Sequence, residues 1–320
     1  MQVTAPTFES AASTATDGGE PRPVLDDLAY LCTVMVNVFF VGGPGDRNWV
    51  LVDAGMPGSA HRIAHAAENR FGAGSRPSAI ILTHGHFDHV GGLPTLADSW
   101  DVPIYAHRME LPYLTGRSPY PPPDPTVGGG LLAYLSWLYP QGPFDFGDRV
   151  RPLPEDGTVP NLPGWRWVAT PGHSPGHVSF FREADRTLIA GDAFVTTKQE
   201  SALSVLTQHE EIHGPPKYFT PDWESAARSV RDLADLHPEI AATGHGIPLR
   251  GEPMRAGLDA LAREFKTRAV PAHGRYVGHP AIADDGGIVY VPPDVPHEMP
   301  VLLGLAAGIL AGAAITRSRR

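Results

Sequence analysis

The chain has 320 residues, with 25 Lys and Arg against 35 Asp and Glu and a formal net charge of −10. That length suffices for one domain with a large core, and an acidic balance with no basic cluster ahead of the last four residues argues against a nucleic-acid partner. Cys32 is the single cysteine, which excludes an intramolecular disulfide and a thiolate metal cluster; within Tyr30-Leu31-Cys32-Thr33-Val34 it reads as a small buried hydrophobe.

In chain order, residues 1–23 are rich in Ala, Thr, Ser, Gly and Pro and lack the basic and apolar regions of a secretion signal, so a disordered leader is expected. A folded domain is expected over 24–270. Residues 28–41 are apolar and β-branched, interrupted by Asn37, and residues 49–53 are apolar again beyond the turn Gly42-Gly43-Pro44-Gly45-Asp46; together they predict one hairpin with a long loop. Ile63, Ala64, Ala67 and Phe71 recur at helical spacing and predict a helix over 59–71. Residues 79–82 read as a buried strand, followed by a short loop and a glycine-opened helix through Leu93 and Leu96. Residues 103–106 predict a strand ending in His107. Between 111 and 148 the rhythm breaks at Pro119, Pro121, Pro122, Pro123 and Pro125, where neither helix nor interior strand can form. A short apolar helix follows over 131–139. This insertion is either a cover that lines a pocket or a proline-stiffened surface excursion. Strands are predicted over 149–153, 165–170, 177–181 and 186–190. A helix begins at Thr220 as N-cap with Pro221 in its first turn, a strand covers 239–242, and a last amphipathic helix covers 253–267.

The loop between the third strand and its helix, Thr83-His84-Gly85-His86-Phe87-Asp88-His89, places three imidazoles and a carboxylate within seven residues. A loop at a strand end can aim several side chains at one point, which alternating strand faces cannot. Burying these groups is costly unless a cation compensates, and imidazole with carboxylate suits zinc and its neighbours. A solvated His-rich loop is the plainer alternative.

This H-x-H-x-D-H loop resembles the signature of the metallo-β-lactamase fold superfamily. So do Trp49-Val50-Leu51-Val52-Asp53-Ala54-Gly55 upstream, and Thr170-Pro171-Gly172-His173-Ser174-Pro175-Gly176-His177, Leu188-Ile189-Ala190-Gly191-Asp192-Ala193 and Thr243-Gly244-His245-Gly246 downstream. The resemblance covers roughly residues 30–250. It implies an α/β fold, a four-layer αβ/βα sandwich with the site in the cleft between two sheets. It implies that His84, His86 and His173 hold one metal, that Asp88, His89 and His245 hold a second, and that Asp192 bridges them. Two divalent ions are then the cofactors, Zn2+ first and Fe or Mn as alternatives. A hydroxide shared between them would attack an ester, lactone or thioester, with Asp88 orienting it or protonating the leaving group. Asp53 is expected to order a ligand histidine from behind. His177 is expected either to do the same or to make a structural hydrogen bond. His107, Tyr120, Tyr139 and Tyr218 are pocket candidates. Asp192 and Asp88 resemble the glyoxalase II and lactonase branch, although the basic residues that grip glutathione have no evident counterpart. The alternative is an oxidoreductase resembling persulfide dioxygenases, with one iron on His84, His173 and Asp192. A non-catalytic membrane-associated scaffold is a third reading.

Residues 271–300 are Gly- and Pro-rich and read as a linker. Residues 301–316 form an uncharged apolar run with Gly304, Gly308 and Gly312 at G-x-x-x-G spacing, ahead of Arg317-Ser318-Arg319-Arg320. The run predicts membrane association, with burial in the fold or in a homodimer interface as the alternative. A small-molecule substrate and a cytoplasmic enzyme tethered through that tail are the resulting expectations for partners and localisation.

Overall fold

Most strands here are apolar on both faces, so each sheet needs a covering layer on either side. The computed structural model describes residues 9–10 and 19–295, and within them both layers are present. A two-residue strand, Glu9–Ser10 (β1), belongs to the second sheet. The first sheet runs in spatial order through Arg22–Leu25 (β2), Leu28–Thr33 (β3), Val36–Val41 (β4), Val50–Val52 (β5), Ala79–Ile81 (β6), Ile104–Ala106 (β7) and Val150–Pro152 (β8). It is antiparallel up to β5 and parallel from β5 to β8. The second sheet contains Trp165–Ala169 (β9), Val178–Arg182 (β10), Thr187–Gly191 (β11), Ile240–Thr243 (β12) and Leu249–Arg250 (β13), in the order β1-β13-β12-β11-β10-β9.

Val38, Phe40, Leu51 and Ile80 point outward, under Ala60–Phe71 (α1) and, beyond the one-turn helix Phe87–Val90 (α2), under Leu93–Trp100 (α3). Their neighbours Phe39, Val41, Val50, Val52 and Ile81 face inward against Val178, Phe180, Ile189 and Ala242 of the second sheet. The insertion contributes Leu111–Leu114 (α4) and Leu131–Tyr134 (α5), and Ala202–Thr207 (α6) lies between β11 and β12 in the chain. The outer face of that sheet, Phe181, Leu188 and Ala241, is covered by Trp223–Asp235 (α7) and Gly251–Arg263 (α8), with Phe265–Arg268 (α9) behind. This is the expected four-layer αβ/βα sandwich.

Several boundaries differ from expectation. Residues 28–41 are two strands, because the chain reverses at Val34 and Met35, pairing Thr33 with Val36. Val34 sits at φ +71, a left-handed conformation that a β-branched residue rarely adopts, so no Asn-Gly signal marks the turn. The helix expected to start at Thr220 is capped instead by Asp222, whose carboxylate accepts from the backbone N–H groups of Glu224 and Ser225 at 3.1 and 3.0 Å. Such a cap contributes about 1 kcal/mol. The final helix breaks at Glu264 into α8 and α9. Helix α6 was not expected at all.

The stretch read as a linker folds back. Ile282–Asp284 (β14) and Gly287–Tyr290 (β15) pair as a hairpin, Ile288 N–H donates to Ser118 Oγ at 3.1 Å, and Tyr276 Oη donates to the Pro122 carbonyl at 2.6 Å. It docks on the proline-rich insertion. Residues 1–8 and 11–18 of the expected leader, and the apolar run 301–316, lie outside the described residues. Among the described residues no helix is long and apolar enough to cross a membrane.

Candidate metal centre

The site lies where strand ends of the two sheets meet. Strand β6 delivers Thr83 and His84. His86 then caps α2, so Asp88 and His89 project from a helical turn rather than from a loop. The loop between β9 and β10 supplies His173 and His177, the end of β11 supplies Asp192, and the end of β12 supplies His245. All of these side chains are buried.

Three sets of potential ligand atoms converge: His84, His86 and His173; His84, His89 and Asp192; and Asp88, His89 and His245, each within 4.8 Å. In the first set His84 Nε2 and His86 Nδ1 are 3.0 Å apart, and His86 Nδ1 and His173 Nε2 also 3.0 Å. Nitrogens at tetrahedral corners about 2.0 Å from a zinc ion lie ~3.3 Å from one another, so the triangle is close to one that a cation fills. Asp192 lies between the sets: Oδ2 is 3.5 Å from His173 Nε2 and 3.0 Å from His245 Nε2, and Oδ1 is 3.6 Å from His89 Nε2. His89 Nε2 and Asp192 Oδ1 are buried and make no hydrogen bond among the described residues. Two such atoms aimed at each other without a bond fit a shared cation, since an unpaired buried polar atom is otherwise costly. The cradle also needs glycine: a Cβ on Gly244 would lie 2.0 Å from Asp192 Oδ1. The donor set thus fits two divalent ions.

The electrostatics divide the sets. Burial, reinforced by the neighbouring imidazoles, holds His84 and His173 well below the usual histidine range and His86 down to about 3. These are neutral rings, the form that binds metal. Burial acts the same way on His89 and His245, but Asp192 and the other carboxylates outweigh it, and both are raised. Burial would raise Asp192, yet His245 and His89 hold it well below the carboxylate range. Burial raises the Asp88 carboxyl, and its Oδ2 stands 3.5 Å from His245 Nε2. The carboxylates thus favour a positive charge at His89 and His245, the charge that a bound cation would supply.

Asp53 Oδ2 accepts from His89 Nδ1 at 2.8 Å and from Thr83 Oγ1 at 2.8 Å, while Oδ1 accepts from Thr83 N–H at 2.8 Å. It thereby fixes the ring that turns Nε2 toward Asp192. His177 does not touch a ligand histidine through a hydrogen bond. Its Nε2 accepts the Asp192 backbone N–H at 2.9 Å, and its Nδ1 meets Thr170 Oγ1 at 2.8 Å. It anchors the main chain that carries Asp192.

The pocket candidates part company. Tyr120 is buried, its ring 4.6 Å from that of His86 and its hydroxyl bonded to Glu110. Tyr139 and Tyr218 join Phe87 and Phe219 in an apolar cluster that includes Val127 and Ala133 of the insertion. The insertion therefore packs against the helical turn that carries Asp88. His107 turns elsewhere: its Nδ1 accepts Met109 N–H at 3.3 Å and its ring lies against Trp167.

Two residues escaped recognition from sequence. Asn37, noted only as an interruption, is fully buried and donates from Nδ2 to the carbonyls of Thr243 and Gly246, which bracket His245. A polar residue inside an apolar strand was the available signal. Glu110 is fully buried and touches both ligand-bearing loops; an isolated acid after Met109 carries no such signal. A groove of about 400 Å3 is walled by Leu31, Val34, Met35, Leu132, Val205 and Leu206 and by none of the ligand residues; the Met35 carbonyl accepts from His245 Nδ1 at 2.7 Å.

Residues 33–245 match the family model described as the metallo-beta-lactamase superfamily. Among curated proteins, the chain is 50% identical over 238 residues to the probable metallo-hydrolase YflN of Bacillus subtilis (strain 168), covering 74% of this chain and 90% of that protein. It is 34% identical over 213 residues to the probable metallo-hydrolase YybB of the same organism, covering 67% and 81%. The solved structure of metallo-beta-lactamase SMB-1 is similar with a TM-score of 0.51 at 17% identity, over 78% of this chain and 95% of that one, a likeness of fold alone.

Proposed function

Since this chain belongs to the metallo-beta-lactamase superfamily, we propose that it is a hydrolase carrying two divalent cations, zinc foremost, that cleaves an ester, lactone or thioester of a small molecule. One observation carries the reading: two three-residue ligand sets, His84, His86 and His173 and then Asp88, His89 and His245, share the Asp192 carboxylate between them. The complete second set favours two cations over the single iron of a dioxygenase. The absence of thiolate from the donor set favours zinc, iron or manganese over softer-ligand metals.

When bound, such cations supply a water acidified toward neutrality and a Lewis-acid pole for a carbonyl oxygen. The chain's own residues do the rest. Asp53 holds His89 in one tautomer and one orientation. Asp88, a member of the second ligand set, has a carboxylate placed to orient the attacking water or to carry a proton to a departing alcohol or thiol. The apolar groove beside Met35 fits the non-reacting aliphatic part of a substrate, and Arg22 and Arg62 stand in its lining. The aromatic cluster of Phe87, Tyr139, Tyr218 and Phe219 keeps bulk water from the other side.

The test combines elemental analysis of the purified full chain with a panel of ester, lactone and thioester substrates. Two zinc equivalents and hydrolysis that falls at least about 100-fold in Asp88→Ala and His89→Ala, both still folded, are expected. One iron per chain with oxygen consumption and no hydrolysis would overturn the proposal.

A further inference from the structure

Glu110 lies outside the ligand sets, and its carboxylate is saturated by four donors from three segments. Oε1 accepts from Ser174 Oγ at 2.8 Å and from Gly176 N–H at 2.7 Å. Oε2 accepts from Gly85 N–H at 2.9 Å and from the Tyr120 hydroxyl. Gly85 is the residue between His84 and His86. Ser174 directly follows His173, and Gly176 directly precedes His177. Tyr120, which also accepts from Gly85 N–H at 3.0 Å, meets the His86 ring edge-to-face at 4.6 Å. The two loops that must meet to form the three-histidine set are thus tied to each other through one buried side chain. No comparable tie reaches from Glu110 to Asp88, His89 or His245 among the described residues.

We propose that Glu110 is a positioning residue that pre-organises the His84, His86 and His173 set by cross-linking its two loops; the inference rests on the reading that this set holds a cation. Two features make the carboxylate specific. Each oxygen takes one backbone N–H, a donor that cannot reverse, so a glutamine in either orientation sets an amide NH2 against Gly85 N–H or Gly176 N–H. Glycine is required at both contact points as well: a Cβ on Gly176 would lie 2.9 Å from Glu110 Oε1, and one on Gly85 would lie 2.5 Å from the Tyr120 hydroxyl. Side chain and both backbones therefore fit as a unit, with ligand loops held at hydrogen-bond distance from a common group. Partners that orient metal ligands from behind typically change metal affinity about 10–100-fold when replaced.

The experiment measures zinc binding by calorimetric titration of chelator-treated full-length protein in two backgrounds. His245→Ala leaves the three-histidine set intact, and His86→Ala leaves the Asp88, His89 and His245 set. Glu110→Gln is expected to weaken binding about tenfold or more in the first background and less than about threefold in the second. Equal losses in both, or no loss in either, would overturn the proposal, because a merely structural role destabilises the whole fold without choosing a set. Should Glu110→Gln fail to fold, the Ser174→Ala/Tyr120→Phe pair removes two of the four donors and keeps the carboxylate. A loss confined to the first background supports the proposal, and unchanged affinity there sinks it. If neither background binds zinc, or any other divalent ion tried, the dinuclear reading itself falls and takes this inference with it; binding without selectivity rejects the inference alone.

Discussion

His86 and His177 show how burial converts an ordinary side chain into a pH-dependent element of stability. Both are held down to about 3, by burial first, then for His86 by repulsion from His89. In the unfolded chain each titrates near 6.5. Their contribution to the metal-free fold is therefore complete above pH ~6.5 and is lost progressively as pH falls toward about 3, because the unfolded chain binds those protons first. Asp192, held well below the carboxylate range, adds loss of the same sign under its ordinary 3.8. His89 and His245, raised by carboxylates, act oppositely: their contribution is full below pH ~6.5 and falls as pH rises through their elevated values. Between about pH 5.5 and 4 these two add little slope, because the unfolded histidines are by then protonated as well. The metal-free protein should thus lose on the order of a few kcal/mol over that window, read from urea midpoints at stepped pH. A midpoint that stays flat would mean that these rings are not buried neutral.

At the scale of elements, the β3–β4 turn and α6 both contribute exposed apolar side chains to the groove. The β3–β4 turn presents Val34, 72% exposed and in a left-handed conformation, and α6 presents Leu206, 83% exposed. Backbone strain at an exposed apolar residue is uncommon and collects at ligand-contacting segments. The turn is held from beneath, because His245 donates to the Met35 carbonyl at 2.7 Å. If the groove receives an aliphatic chain, Leu206→Asp places a charge on its wall and should raise KM for a long-chain ester about tenfold. That is ~1.4 kcal/mol, the worth of roughly two buried methylenes. The turnover number and metal content should stay level, since uniform binding is what is removed. Steady-state kinetics on short- and long-chain esters would distinguish this: an equal change for both chain lengths argues against the groove.

Over the whole molecule, the site exists only because two sheets are locked in register, and Asn37 is a principal lock. From β4 in the first sheet it gives its backbone N–H to Gly244 and its amide to Thr243 and Gly246, the segment around His245 in the second half. Asn37→Val keeps the volume and leaves two buried carbonyls without those donors. The expected loss is about 2–6 kcal/mol, at roughly 1–3 kcal/mol for each of the two stranded carbonyls. Urea denaturation of the full chain would measure it, and an unchanged midpoint would assign the registration of the halves to core packing alone. Zinc should restore part of the loss, because a ligand that binds only the folded state stabilises it by mass action.

Much of the centre was legible before any coordinate. His84, His86, Asp88 and His89 fall in one short loop, and His173, Asp192 and His245 each sit at the end of an apolar run. Strand ends are therefore readable as delivery points, since a buried strand must surface at one. Composition excluded a thiolate metal cluster, because a single cysteine cannot build one. Local signals failed where chemistry was silent. Val34 turns the chain without a turn residue, Asp222 took the cap from Thr220, and residues 282–290 formed a hairpin in a stretch whose glycines and prolines suggested none. Glu110 and Asn37 acquire their meaning from partners 10 to more than 200 residues away. The sequence alone determined the family, the fold class and the metal-ligand candidates, because those depend on residue type and short-range spacing. Tertiary structure alone decided which groups hold the ligand loops together, because a buried carboxylate or amide takes whatever long-range donors and acceptors the packing brings to it.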